Sequence, residues 1–412
     1  MAGNANAGAR SSSDETESTY AWVRLGIALA IGTIGSIGMW SFVVALPAVQ
    51  AEFGVARGEA SLPFTLTMIG FGLGGVFMGR VFDRYGIVPP AVCGALLLGV
   101  GYVSSGYAPN IWLFGLAQGL IGLGASATFG PIMTDISHWF TRRRGIAVAI
   151  ASCGNYLAGT IWPPLVERFI ASDGWRTTQI SIGVLCVVSM LPLTMLLRRR
   201  APTHHAEATG ATAVAARGSL GVSSNMLMAL LCVAGVACCV AMSMPQVHIV
   251  AYCGDLGYGP ARGAEMLAAM MGFGIISRLA SGLVADRIGG LATLLIGSVL
   301  QGVALFMYLW FDGLISLYVI SALFGLFQGG LVPMYAIIVR EYFSPQEAGT
   351  RLGIVLMATL LGMALGGWLS GVIYDFSGSY TAAFLNGLLW NLVNVVIISW
   401  LLRRTQRRLA YA

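Results

Sequence analysis

Arg278 stands apart among the residues able to do chemistry. It lies inside an apolar stretch, residues 266–285, that holds no other charge. Counted back from Asp286 at about 1.5 Å per helical residue, its Cα is about 12 Å inside the apolar layer. A charge at that depth costs roughly 2.5–3.5 kcal/mol on insertion scales and normally faces a wet cavity or an ionic partner. A guanidinium does not deprotonate, and its planar fork matches a carboxylate. The chemistry implied is the holding of an organic anion within a membrane.

Two titratable groups accompany it. His248 falls late in the seventh apolar stretch and Asp255 follows seven residues on. Histidine titrates nearest the working range, at about 6.5 unperturbed. Asp255 is the candidate proton carrier, and His248 is a candidate both for coupling and for substrate contact. The plainer alternatives are a histidine bonded to a carbonyl and a solvated loop acid. Tyr335, just after Pro333, and Phe129, just before Pro131, occupy corresponding stretches and are further candidates for substrate contact. Asn155, Tyr156, Gln301, Asn386, Asn391 and Asn394 suit interhelical hydrogen bonds. The seven cysteines have no metal spacing and read as small packing residues. No H-E-x-x-H, nucleophile–base arrangement or phosphate loop is present, so neither catalysis, metal nor cofactor is expected.

The elements that must position these groups follow from composition. The chain is 57% hydrophobic and 10% charged, with mean hydropathy +0.79. Twelve stretches reach the roughly 20 residues that a spanning helix needs. Helices are required, because backbone in lipid must satisfy its own hydrogen bonds. The net charge of +6 does not indicate nucleic acid, because all 23 basic residues are Arg and their distribution is topological. With the N-terminus inside, 18 arginines fall on the cytoplasmic side, and only Arg57, Arg168, Arg176 and Arg262 fall outside. Both termini are therefore expected in the cytoplasm. The Ala/Gly-rich, lysine-free composition points to a bacterial inner membrane.

The polar segment 198–221 divides the chain. Expected are a cytoplasmic tail at 1–20, a six-helix bundle at 21–197, a linker at 198–221, a second bundle at 222–404 and a tail at 405–412. The halves repeat one another: Gly79-Arg-Val-Phe-Asp83-Arg84-Tyr-Gly86 returns as Gly282-Leu-Val-Ala-Asp286-Arg287-Ile-Gly289. Phe114-Gly-Leu-Ala-Gln118-Gly119 returns as Phe324-Gly-Leu-Phe-Gln328-Gly329. The fold class is thus an all-α membrane protein of twelve helices in two pseudo-symmetric halves, a transporter design with its site between the halves.

The G-x-x-x-D-R-x-G pattern resembles the signature of the major facilitator superfamily. That resemblance implies a cytoplasmic gate at Gly79, Asp83, Arg84, Asp286 and Arg287. Four junctions resemble the monocarboxylate transporter branch, including its microbial members: Val49-Gln-Ala-Glu-Phe-Gly-Val-Ala-Arg57-Gly-Glu59, Trp139-Phe140-Thr-Arg142-Arg143-Arg144, Gly174-Trp175-Arg176, and Tyr374-Asp375-Phe-Ser-Gly378-Ser-Tyr380. The branch implies that Arg278 binds substrate carboxylate and that His248 and Asp255 lie near it. Two departures stand out: mammalian members carry an Asp where this chain has Gly274, and a Lys in the first helix that is missing here. One cation in the cavity favours a monoanion. The expectation is a monomeric, proton-coupled carrier of a lactate- or pyruvate-like acid. The alternative is a drug exporter or vitamin transporter in which Arg278 is structural.

Overall fold

A computed structural model describes residues 17–141, 143–199 and 222–409, with the side chains of 345, 346 and 406–409 excepted. Nearly all of the expected tail 1–20, most of the linker 198–221 and the end of the tail 405–412 therefore lie outside the described residues. Twelve helices are long and apolar enough to cross a membrane. They are α1 (Thr19–Phe53), α2 (Arg57–Tyr85), α3 (Val88–Gly106), α4 (Ile111–Trp139), α5 (Arg144–Asp173) and α6 (Trp175–Leu196) in the first half. The second half holds α7 (Ser224–Asp255), α8 (Pro260–Ile288), α9 (Gly290–Trp310), α10 (Leu314–Tyr342), α11 (Glu347–Ser377) and α12 (Tyr380–Thr405).

An even number of crossings returns the chain to the face on which it began, here called the near end. At its start Ser18 caps α1, its hydroxyl accepting from the Ala21 amide, which ends the expected tail two residues early.

The halves obey one packing plan. Helix α2 lies on α4 and α3 on α6, as α8 lies on α10 and α9 on α12. The seam between halves is made chiefly by α2 against α11 and by α5 against α8. Glycines allow the closest crossings, where a side chain would meet backbone. A Cβ on Gly70 would overlap the Gly119 carbonyl at the α2–α4 crossing, and one on Gly325 would overlap the Met270 carbonyl at α8–α10. The Phe-Gly-Leu-x-Gln-Gly repeat therefore marks equivalent crossings in the two halves.

Four spans are interrupted: α1 at Ser36, α4 at Ala127–Phe129, α5 at Cys153 and α10 at Gly329–Gly330. Sequence favours a kink of α5 at Pro163-Pro164, and both prolines lie inside the helical run Gly154–Asp173. The interruption of α5 falls earlier, beside Gly154, where α5 crosses α1 glycine to glycine. A Cβ there would come within 3.2 Å of the Gly32 carbonyl carbon.

At the near end of the first half, Arg24 is buried and grips Asp135 with Nε and Nη2 at 2.8 and 2.9 Å. Its Nη1 donates to the Arg199 carbonyl and its plane lies over the Trp139 ring. This one side chain ties α1, α4 and the exit of α6 together. In the second half Glu341 does related work from α10, accepting from the Gly290 amide that opens α9.

Candidate functional site

Helix α8 carries Arg278 to the seam at mid-span. Its Nη1 donates to the Ser152 carbonyl at 3.1 Å and its Nε reaches the Gly329 carbonyl at 3.5 Å. Both carbonyls belong to interruptions, Ser152 at that of α5 and Gly329 at that of α10. Backbone groups freed by a broken helix need partners, and the guanidinium supplies them from the opposite side of the seam for α5. Tyr156 of α5 completes the arrangement. Its ring lies 4.5 Å from the guanidinium carbon, and its hydroxyl donates to the same Gly329 carbonyl at 3.4 Å. Every partner of Arg278 is thus neutral, and no carboxylate contacts it among the described residues. The guanidinium keeps its full positive charge beside the interface, held by neutral dipoles alone.

The branch's implied grouping of His248 and Asp255 with Arg278 is not what the structure displays. These two belong to a second assembly at the far end, opposite the near end. Asp255 of α7 is bound two-toothed by Arg57 of α2, with Nη1–Oδ2 3.1 Å and Nη2–Oδ1 3.2 Å. Asp375 of α11 accepts from the Arg57 and Gly58 amides at 2.8 and 2.7 Å, capping α2 from the other half. That carboxylate meets the positive end of the α2 dipole. The Arg57 guanidinium also stacks on Tyr374 at 4.6 Å and donates to the Tyr380 hydroxyl at 2.6 Å. Tyr380 in turn contacts His248 Nδ1 at 3.0 Å, and His248 Nε2 lies 2.8 Å from the Gly367 carbonyl. His248 is fully buried. A carbonyl only accepts, so Nε2 carries the hydrogen and Nδ1 accepts from Tyr380.

The remaining expected residues are scattered. Tyr335 is fully buried within the second half and its hydroxyl donates to Asn394, which with Asn391 is anchored on Ser298 of α9. Phe129 stands at the interruption of α4, half-buried, with its ring 6.1 Å from that of Phe71. Gly79, Asp83, Arg84, Asp286 and Arg287 lie at the near end, all exposed but the half-buried Gly79. None of the four charged members bridges the halves among the described residues. The inter-half hydrogen bonds cluster at the far end and at mid-span, the α2 hydroxyl of Thr65 on the Ala364 carbonyl of α11 among them.

Sequence reasoning missed Arg57, which reads as one more exterior topological charge. A signal was present, because Arg57 and the pair Asp375 and Tyr380 lie in two of the four junctions that resemble the branch. The structure joins those two junctions. Tyr156 was legible as a hydrogen-bonding residue, but its place against Arg278 was not.

The two paired six-helix bundles, with Arg278 held at the seam between them, have the layout of a membrane transporter. The chain matches the Major Facilitator Superfamily over residues 28–319 and 255–411, and it belongs to that family. It is 27% identical over 369 residues to rat "Monocarboxylate transporter 13", covering 87% of this chain and 82% of the relative. It is 26% identical over 368 residues to the Bacillus subtilis "Uncharacterized MFS-type transporter YcxA", covering 84% and 87%. Among solved structures, the nucleoside transporter NupG superposes with a TM-score of 0.72 at 13% identity, covering 92% of this chain and 99% of that one. The fold is therefore that of the superfamily, and the protein is a multi-pass membrane protein.

Proposed function

We propose that this chain is a secondary active carrier of a small monocarboxylate, lactate- or pyruvate-like, working as a monomer by alternating access. The observation that carries the reading is Arg278 at the seam with only neutral partners. A single fixed cation suits a monoanion, whose carboxylate can replace two carbonyl acceptors with one bidentate partner. The two bundles, expected at 21–197 and 222–404, rock about this point. The names of the relatives, monocarboxylate transporters among them, agree with that substrate class.

The proton is the co-substrate and Asp255 its carrier. Protonation of Asp255 removes the charge that Arg57 grips and so unfastens the far end, which faces outward if the arginine-rich near end is cytoplasmic. His248 orients Tyr380 in this latch. The near-end residues Gly79, Asp83, Arg84, Asp286 and Arg287 form the opposite gate, which closes when the far end opens. The membrane is the bacterial inner membrane, with both termini in the cytoplasm.

The test is thermal stabilisation of the purified protein by monocarboxylates, dicarboxylates and neutral analogues, on wild type and Arg278→Gln. Ligand that binds the folded state raises its stability by mass action. A shift with monocarboxylates that vanishes in the variant is expected. No shift with any acid, or the same shift in the variant, makes Arg278 a structural charge and the substrate a neutral or larger solute.

A further inference from the structure

Tyr156 and Gly274 face each other across the seam. A Cβ built on Gly274 would overlap the Tyr156 ring, touching both of its near-edge carbons. Gly274 also precedes Arg278 by four residues, so both lie on one face of α8. The ring of one half is thus let into a notch in the other half, one helical turn from the guanidinium that it stacks on at 4.5 Å.

We propose that Tyr156, seated in the Gly274 notch, is the positioning residue of the anion site: it fixes the plane of the Arg278 guanidinium so that its fork points where a carboxylate docks. The proposal rests on the carboxylate reading above and adds to it the residue that orients the anchor. Arginine has a long side chain with many rotamers, and ordering it costs conformational entropy. A ring face removes much of that freedom through a cation–π contact without neutralising the charge. A carboxylate in the same place would hold the guanidinium as firmly, but would compete with the substrate for it. The tyrosine hydroxyl, bonded to the Gly329 carbonyl, anchors the ring to the interruption of α10. The same ring therefore registers the anchor against a helix break of the second half.

The notch makes the claim testable from both sides of the seam. Half-saturating concentrations for lactate and pyruvate are measured by thermal shift, and KM and Vmax by uptake into proteoliposomes. The variants are Tyr156→Phe, Tyr156→Leu and Gly274→Ala. Loss of the ring in Tyr156→Leu, or its displacement in Gly274→Ala, raises half-saturation and KM about tenfold, in line with a partly desolvated cation–π contact, while Vmax changes less. Tyr156→Phe keeps the ring and stays within about twofold of wild type, because the hydroxyl bond that it loses is long and belongs at the low end of what a neutral hydrogen bond contributes.

A ligand-free double-mutant cycle checks the fit itself. Gly274→Ala destabilises the protein when Tyr156 is present and is tolerated beside Tyr156→Leu, because the clash is gone. Unchanged half-saturation in Tyr156→Leu, a loss in Tyr156→Phe as large as in Tyr156→Leu, or strict additivity in the cycle overturns the positioning role. If no carboxylate stabilises the wild type although the cycle couples, the substrate reading has failed and takes the positioning role with it. Carboxylate binding that persists without coupling sinks the positioning role alone.

Discussion

Arg57 and Asp255 are separated by 198 residues in sequence and hold each other at 3.1 and 3.2 Å across the two halves. Arg57 is largely buried, and Asp255 remains one-third exposed in its side chain. Solvent therefore reaches the carboxylate but hardly reaches the guanidinium.

Replacing Asp255 with Asn removes the charge while keeping the shape. Proton-driven accumulation of monocarboxylate is expected to disappear, and exchange of labelled for unlabelled acid to persist. Proteoliposomes with and without an imposed pH gradient distinguish these. Acid-stimulated uptake equal to wild type would rule out Asp255 as the proton carrier.

Asp375 secures the same closure through the backbone of α2. Its removal in Asp375→Ala costs about 1 kcal/mol of capping at the α2 terminus and shifts the protein toward the far-end-open form. Labelling of a cysteine placed at Thr65, under the latch, by an impermeant maleimide in a cysteine-free background should speed up severalfold. A rate equal to that of the uncut latch would show that Asp375 caps the helix without holding the halves.

The pair Arg24 and Asp135 makes a different kind of demand. Removing one partner, as in Asp135→Asn, leaves a buried guanidinium without its counter-charge and should cost about 3–5 kcal/mol. The double change Arg24→Leu with Asp135→Leu should be milder than either single change. Unfolding midpoints in detergent check both statements, and a double variant worse than the singles would contradict them.

At the near end, Asp83 and Asp286 lack ionic partners among the described residues, so their neutralisation should leave the stability of this form unchanged. If they serve the opposite conformation, Asp83→Asn slows turnover several-fold without moving the unfolding midpoint. Parallel transport and melting measurements separate the two, and a lowered midpoint would assign Asp83 to the fold.

What the sequence disclosed was the local part. Twelve apolar stretches, their division into halves, and an arginine at mid-membrane all follow from composition and period, which one chain displays directly. Contacts across the seam are different. The α1–α2 and α11–α12 junctions were each recognisable, but nothing in either spells out that Arg57 of one would meet Asp375 and Tyr380 of the other. Tyr335 illustrates the converse. Its position after a proline in α10 suggested the cavity, whereas helix rotation turns its hydroxyl onto Asn394. Rotation about a helix axis depends on packing against several neighbours at once. In a helix apolar nearly all round, the hydrophobic pattern does not specify it.

The line from Arg57 through Tyr380 to His248 imposes an order of events. The Tyr380 oxygen already receives a hydrogen from a permanent cation and passes its own to the histidine. The imidazole hands the line on, its Nε2 hydrogen going to the Gly367 carbonyl of α11. Release of the far end therefore begins at Arg57, the member of this line that belongs to the first half, and leaves Tyr380 and His248 bonded to each other and to Gly367 within the second.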